Sequence, residues 1–273
     1  MNAFNLFKKA KDIAINVGPV WTTIVHQGNI VTSVPSVVAM KDGKLLASGI
    51  RALEMETDKP NGVRIIHPIK DGVIIDFNAM EMLVGSLLTK SFGRCGHFGQ
   101  RFNMVWVIST SITDVERCAI RDIASHLGDG SVRMVFAPLA ATIGIGKNVN
   151  SPEGRMIIDV GASTTDISTV SLGGLVNNTS ILTDWKKENT KCFEKIADAV
   201  GTILEQTPPE LSNDIEKDGA YLIGDGAFLK GLDSYLQHRF GISFHIAKDP
   251  ELAAVIGADF ALQYKEHYFF FVR

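Results

Sequence analysis

Short apolar runs punctuated by glycine turns, and longer stretches of helical spacing, alternate along almost the whole of this 273-residue chain. Ile13-Ala14-Ile15, Thr23-Ile24-Val25 and Ile30-Val31, separated by turns at Gly18-Pro19 and Gly28-Asn29, predict a three-stranded meander over 12–32. Pro35 to Met40, the Asp42-Gly43 turn and Leu45-Leu46-Ala47 predict a small strand-rich insert that runs to about Arg64. Asp71 to Asp76 then leads into a helix over 78–91, which Asp76 can cap. Strands at Met104–Ile108 and Val132–Phe136 flank a helix at Asp114–Leu127, and Pro138 opens another helix. The second half repeats the alternation. It predicts strands over 156–160 and 165–171, a helix over 191–206, a strand at Tyr221–Ile223, a helix over 227–239, a strand at Ser243–Ile246 and a last helix from Pro250. Such alternation defines an α/β class.

The stretch from Ile157 to Asp166 organises the rest: a buried strand, a tight turn of small residues, and an outgoing strand. Gly161 lets backbone approach a ligand, and the hydroxyls of Ser163, Thr164 and Thr165 can donate to phosphate oxygens. Asp159, at the strand end, can hold a hydrated Mg²⁺ through water. About half a chain earlier, Asn16, Gly18 and Thr22 fall where Asp159, Gly161 and Thr165 fall, so the chain carries a faint duplication. Two such turns facing each other across a cleft can grip a polyphosphate from both sides.

Composition narrows the field. With 45% hydrophobic and 21% charged residues the chain is an ordinary globular one. A net charge of −3 and a pI near 6.2 give no polyanion-binding footprint, so nucleic acid is not an expected partner. Cys95, Cys118 and Cys192 are odd in number and scattered, which points to free thiols in a reducing compartment rather than a zinc site or disulfide framework. His245 has no second histidine or acid at metal spacing and reads as a strand residue. No apolar run of about 18 residues or cleavable leader is legible, so a cytoplasmic location is expected.

Two stretches suit a membrane surface. Residues 2–11 place Phe4, Leu6 and Phe7 on one helical arc, with Lys8 and Lys9 opposite, which fits an interfacial helix or a helix packed on its own domain. The loop over 92–102 mixes glycine, arginine and aromatic residues, and its Phe98 can touch lipid or fold back onto the core.

Val34-Pro35-Ser36-Val37-Val38-Ala39, Ile69 to Phe77, Ile112 to Arg117, Ile158 to Gly161 running on to Ser171-Leu172-Gly173-Gly174, Gln206 to Leu211 and Gly224 to Asp233 are specific signatures. Together they resemble the bacterial actin family, most closely the MreB rod-shape proteins, along nearly the whole chain. The resemblance implies an actin-like ATPase fold of duplicated ribonuclease H-like domains that polymerises and binds ATP or ADP with Mg²⁺. In that reading the phosphates lie on Asn16, Gly18, Pro19, Val20, Trp21 and Thr22 from the first turn. Asp159, Gly161, Ala162, Ser163, Thr164 and Thr165 serve from the second. Gly224, Asp225, Gly226 and Ala227 lie against the adenosine. It also implies attachment to the inner membrane through residues 2–11 or Phe98. The partners it implies are the chain itself or a full-length relative, and the cell-wall or shape machinery.

Three departures from the family pattern weaken the site. The first turn reads Asn16-Val17-Gly18-Pro19 where the family has Asp-x-Gly-Thr, so a carboxylate, a hydroxyl and a backbone N–H are lost. Phe136-Ala137-Pro138 stands where the family has an acidic pair before a proline to position water, which leaves no general base there. Leu182 to Thr190 alone joins the second hairpin to the next helix, so the second small subdomain is missing, with the Lys and Glu side chains it brings to ribose and adenine. The resulting division is a helix at 1–11, a first domain at 12–148 with its insert at about 33–64, and a second domain at 149–273 without its small subdomain. The expected function is a cell-shape filament scaffold with a weakened nucleotide site. An active ATPase, with Asp159 arranging Mg²⁺ and water, is the alternative. A small-molecule kinase of the same fold lacks a carboxylate placed for the acceptor.

Overall fold

The computed structural model describes residues 9–264 apart from 59, 96–98, 129, 184 and 186–188. The chain divides into two compact units, one of residues up to Trp106 with Ile112–Arg133, the other of Val107–Ser111 with Met134 onward.

In the first, β1 (Lys11–Val17), β2 (Trp21–His26) and β3 (Asn29–Pro35) form the expected antiparallel meander. Ile13, Ala14, Ile15, Ile24 and Val25 are fully buried in it. The second turn sits one residue earlier than its sequence suggests. Asn29 already pairs with His26, so Gln27 and Gly28 make the tip, both at positive φ as a two-residue hairpin loop of type I′ requires.

The insert comprises β4 (Val38–Lys41), β5 (Lys44–Ser48), a helix α1 (Ile50–Asp58) and β6 (Arg64–Ile66), with strand order β5-β4-β6. The helix adds one element to the expected strand-rich insert. Its nine residues carry a sparse apolar stripe, and what holds it is Ala52, fully buried against Val37, Ala39 and Ala47. A hairpin of β7 (Ile69–Lys70) and β8 (Val73–Ile74) precedes α2 (Phe77–Phe92). Asp76 caps α2 as expected, accepting from the Ala79 N–H at 2.9 Å. β9 (Phe102–Ile108), α3 (Asp114–Leu127) and β10 (Val132–Phe136) follow. A reciprocal Thr113–Glu116 capping box opens α3, and Glu116 also accepts from the Ile74 N–H at 2.9 Å.

The second half runs α4 (Ala137–Gly144), β11 (Arg155–Val160), β12 (Thr164–Ser171), β13 (Gly174–Leu182), α5 (Asn189–Gln206), α6 (Pro209–Asp218) and β14 (Ala220–Ile223). A 3₁₀ turn at Asp225–Phe228, α7 (Leu232–Phe240), β15 (Phe244–Ile246) and α8 (Ala253–Gln263) complete it. The single helix expected over 227–239 is therefore two pieces. Gly231, left-handed at φ 89°, separates them, a conformation that ends one helical run before the next begins. α4 lies against α8 with backbone on backbone: a Cβ on Gly257 would come within 1.8 Å of the Ala140 carbonyl oxygen.

The two large sheets have one strand order, β3-β2-β1-β9-β10 and β13-β12-β11-β14-β15. The duplication suspected from Asn16 and Asp159 is thus an architectural repeat.

Candidate functional site

The repeat extends to individual hydrogen bonds. In the β1–β2 turn the Gly18 N–H donates to the Trp21 carbonyl at 2.8 Å; in the β11–β12 turn the Gly161 N–H donates to the Thr164 carbonyl at 2.8 Å. The third strand clamps each turn in the same way, Ser36 N–H to the Val20 carbonyl at 2.8 Å and Thr183 N–H to the Ser163 carbonyl at 3.0 Å. Hydroxyl pairs complete the match. Thr22 Oγ1 lies 2.8 Å from Ser36 Oγ, and Thr165 Oγ1 lies 2.9 Å from Thr183 Oγ1, both threonines fully buried. Those two hydroxyls therefore tie the turn to its neighbouring strand. Ser163 Oγ is buried with no hydrogen-bond partner among the described residues, which makes it an open donor in the second turn.

Asp159, next to last in β11, stands directly opposite Asp166 on β12, and in an antiparallel pair such residues share a face. Desolvation, then the nearby carboxylates of Asp166 and Asp225, push Asp159 from its ordinary value up to about 7. Burial also raises Asp166, although hydrogen bonds from Ser180 and Ser109 pull it back in part; Ser109 Oγ donates to Asp166 Oδ2 at 2.9 Å. Asp166 and Ser109 escape a sequence reading because only the hairpin register sets Asp166 opposite Asp159, and Ser109 reaches Asp166 from 57 residues away in the chain.

The Gly224–Ala227 segment closes on the same strand end. Gly224, at φ 83°, donates to the Pro250 carbonyl at 2.9 Å, and a Cβ there would stand 2.3 Å from Asp159 Oδ1. A Cβ on Gly226 would stand 2.5 Å from Val160 Cγ1. Only glycine permits both approaches. Asp159, Asp166, the Gly161 turn and the Asp225–Phe228 turn thus converge. Trp185 joins them: its indole N–H donates to the Gly161 carbonyl at 2.9 Å. The signal for it was a lone aromatic residue in an otherwise polar link.

In the first half Asn16 stands opposite Thr23, Gly18, Pro19 and Val20 are half-buried, and Trp21 is 45% exposed. At the start of α4, Phe136 makes no capping side-chain bond, Ala137 is buried, and the first turn holds no acid. Among the described residues no group of three or more His, Cys, Asp or Glu side chains is arranged to hold a metal ion directly. Phe4, Leu6, Phe7, Lys8 and Phe98 lie outside the described residues. Lys9 is exposed, and its carbonyl accepts from Gln100 Nε2 at 3.0 Å. No described helix is long and apolar enough to cross a membrane.

Paired five-stranded sheets of one strand order, each with a clamped glycine turn after its first strand, define the actin-like α/β fold. The MreB/Mbl protein family matches residues 10–190 and 183–268. Cell shape-determining protein Mbl of Bacillus subtilis (strain 168) is 30% identical over 316 aligned positions, which cover 91% of this chain and 94% of that protein. Cell shape-determining protein MreB of Escherichia coli (strain K12) is 27% identical, with 93% of this chain and 94% of that protein covered. The crystal structure of MreB 5 of Spiroplasma citri bound to AMPPNP has the same fold, with a TM-score of 0.84 at 22% identity over 95% of this chain and 98% of that one. The MamK double helical filament gives a TM-score of 0.75 at 16% identity, over 94% of this chain and 99% of that one. The chain belongs to the MreB/Mbl family, the bacterial actin-like cytoskeletal proteins that determine cell shape. An alignment of 316 positions against a chain of 273 residues means that the relative carries residues with no counterpart here. The two family segments overlap at 183–190, the link between β13 and α5 with the first residues of α5.

Proposed function

We propose that this chain is a scaffold of cell-shape filaments at the inner face of the membrane, binding an adenine nucleotide weakly and hydrolysing it slowly or not at all. The observation that carries the reading is the start of α4. Phe136-Ala137-Pro138 offers no carboxylate to orient an attacking water, and hydrolysis needs a positioned water as well as a held phosphate. In the first turn Asn16 carries no charge and Pro19 no N–H, which subtracts further from phosphate binding.

The second turn keeps what an adenine nucleotide needs. The Gly161 turn, the free Ser163 hydroxyl and the tight Gly224–Ala227 segment support binding there. Spiroplasma citri MreB5, a neighbour in fold, is solved with AMPPNP and with ADP. Asp159, with Asp166 and Asp225 beside it, is an acidic setting suited to a hydrated Mg²⁺ held through water, and that ion would neutralise phosphate charge. The MamK filament supports assembly with copies of this chain or with a full-length relative.

Membrane attachment is supported by the sequence of residues 2–11, whose apolar Phe4, Leu6 and Phe7 and basic Lys8 and Lys9 suit an interfacial helix. Phosphate release measured at steady state with ATP and Mg²⁺ tests the proposal. Release at the level of the buffer is expected; release well above it, abolished by Asp159→Ala, would show a working ATPase.

A further inference from the structure

The link between β13 and α5 contributes one aromatic side chain, and that side chain is folded back onto the second turn. Trp185 Nε1 donates to the Gly161 carbonyl at 2.9 Å, and a Cβ on Gly226 would stand 3.1 Å from the same nitrogen. The indole N–H therefore bonds the Gly161 turn and stands where a Gly226 side chain from the Asp225–Phe228 turn would come. Its ring packs at the margin of the apolar cluster that includes Val160, Cys192, Ile196 and Ala227. Gly226 is the permissive partner, because any side chain there would displace the indole and Val160 alike.

We propose that Trp185 clasps these two turns together, and that an adenine nucleotide settles on this half of the site only when the indole gives way. The inference rests on reading the Gly161 turn as the phosphate side and Gly224–Ala227 as the adenosine side. On that reading a nucleotide joining those sides would carry its sugar past the indole nitrogen, which bonds the Gly161 carbonyl and faces Gly226, and the two rings would compete for that ground. The clasp also stands where the two family segments overlap, at 183–190. A neutral N–H···O bond shifts an equilibrium by roughly two- to twelvefold net, and the ring adds its packing. Removing the clasp should raise nucleotide affinity by about tenfold on that basis.

Two variants of the full chain test this. Trp185→Ala removes ring and donor; Trp185→Phe keeps an aromatic ring for the cluster and removes only the donor. Hydrogen exchange without nucleotide should quicken severalfold over 161–165 and 225–228 in the alanine variant, less in the phenylalanine variant, with α8 unchanged. Calorimetry with Mg-ADP should show affinity rising about tenfold in Trp185→Ala. Unchanged exchange in that variant would overturn the clasp. A fall in affinity would make the indole a platform under the nucleotide and overturn the competition. No binding by wild type or either variant would sink the nucleotide reading and the competition with it, while the clasp itself is still decided by exchange.

Discussion

Asp159→Asn is expected to stabilise the protein above neutral pH and to matter progressively less as the pH falls. The carboxyl is pushed from 3.8 to about 7 by desolvation and by the Asp166 and Asp225 carboxylates. A folded-state value above the unfolded one means that the native protein keeps this proton longer than the unfolded chain does. Native stability from this group is therefore complete below about pH 4 and lost as pH rises through about 7. The full window corresponds to ~4 kcal/mol at about 1.36 kcal/mol per pH unit. Asp159 reaches solvent in part and titrates together with its neighbours, so roughly half of that, ~2 kcal/mol, is the working figure. Asparagine keeps the shape and does not titrate. Urea unfolding of both proteins, followed by circular dichroism at pH 5 and pH 8, measures the difference. Wild type should lose about 1–2 kcal/mol relative to the variant between those two pH values. Parallel profiles, or a wild type that gains on the variant as pH rises, would refute the placement of Asp159 among like charges.

Gly257→Ala should cost about 3 kcal/mol or more, because its Cβ would meet the Ala140 carbonyl oxygen at 1.8 Å; a thermal melting point within about 2 °C of wild type would contradict the close crossing of α4 and α8. Deleting residues 2–11 should abolish co-flotation with anionic vesicles, and undiminished flotation would remove the interfacial helix from the reading. Because the relatives carry a stretch that this chain lacks, part of the end-to-end contact surface should be missing, and an interface below about 1,000 Å² holds weakly. The pure protein should then stay mostly monomeric at low micromolar concentration without lipid or a full-length relative; long regular filaments by electron microscopy would show the remaining contacts to be sufficient.

The sequence by itself determined the features whose causes are local. α3 begins and ends where the pattern puts it because the Thr113–Glu116 box and the apolar spacing both lie within residues 113–127. The family follows from its signature turns. Only the tertiary structure decided α1, whose nine residues hold by burying Ala52 against another strand pair, and the break at Gly231, where a left-handed glycine splits an otherwise helical stretch. It also decided where side chains point. Thr22 and Thr165 turn their hydroxyls to the neighbouring strand, Asp166 comes to face Asp159, and Trp185 reaches back to Gly161. A period-two pattern records which residues share a face of one strand. Which strand lies opposite, and in what register, is set by hydrogen bonds between residues far apart in the chain, and no local pattern encodes those.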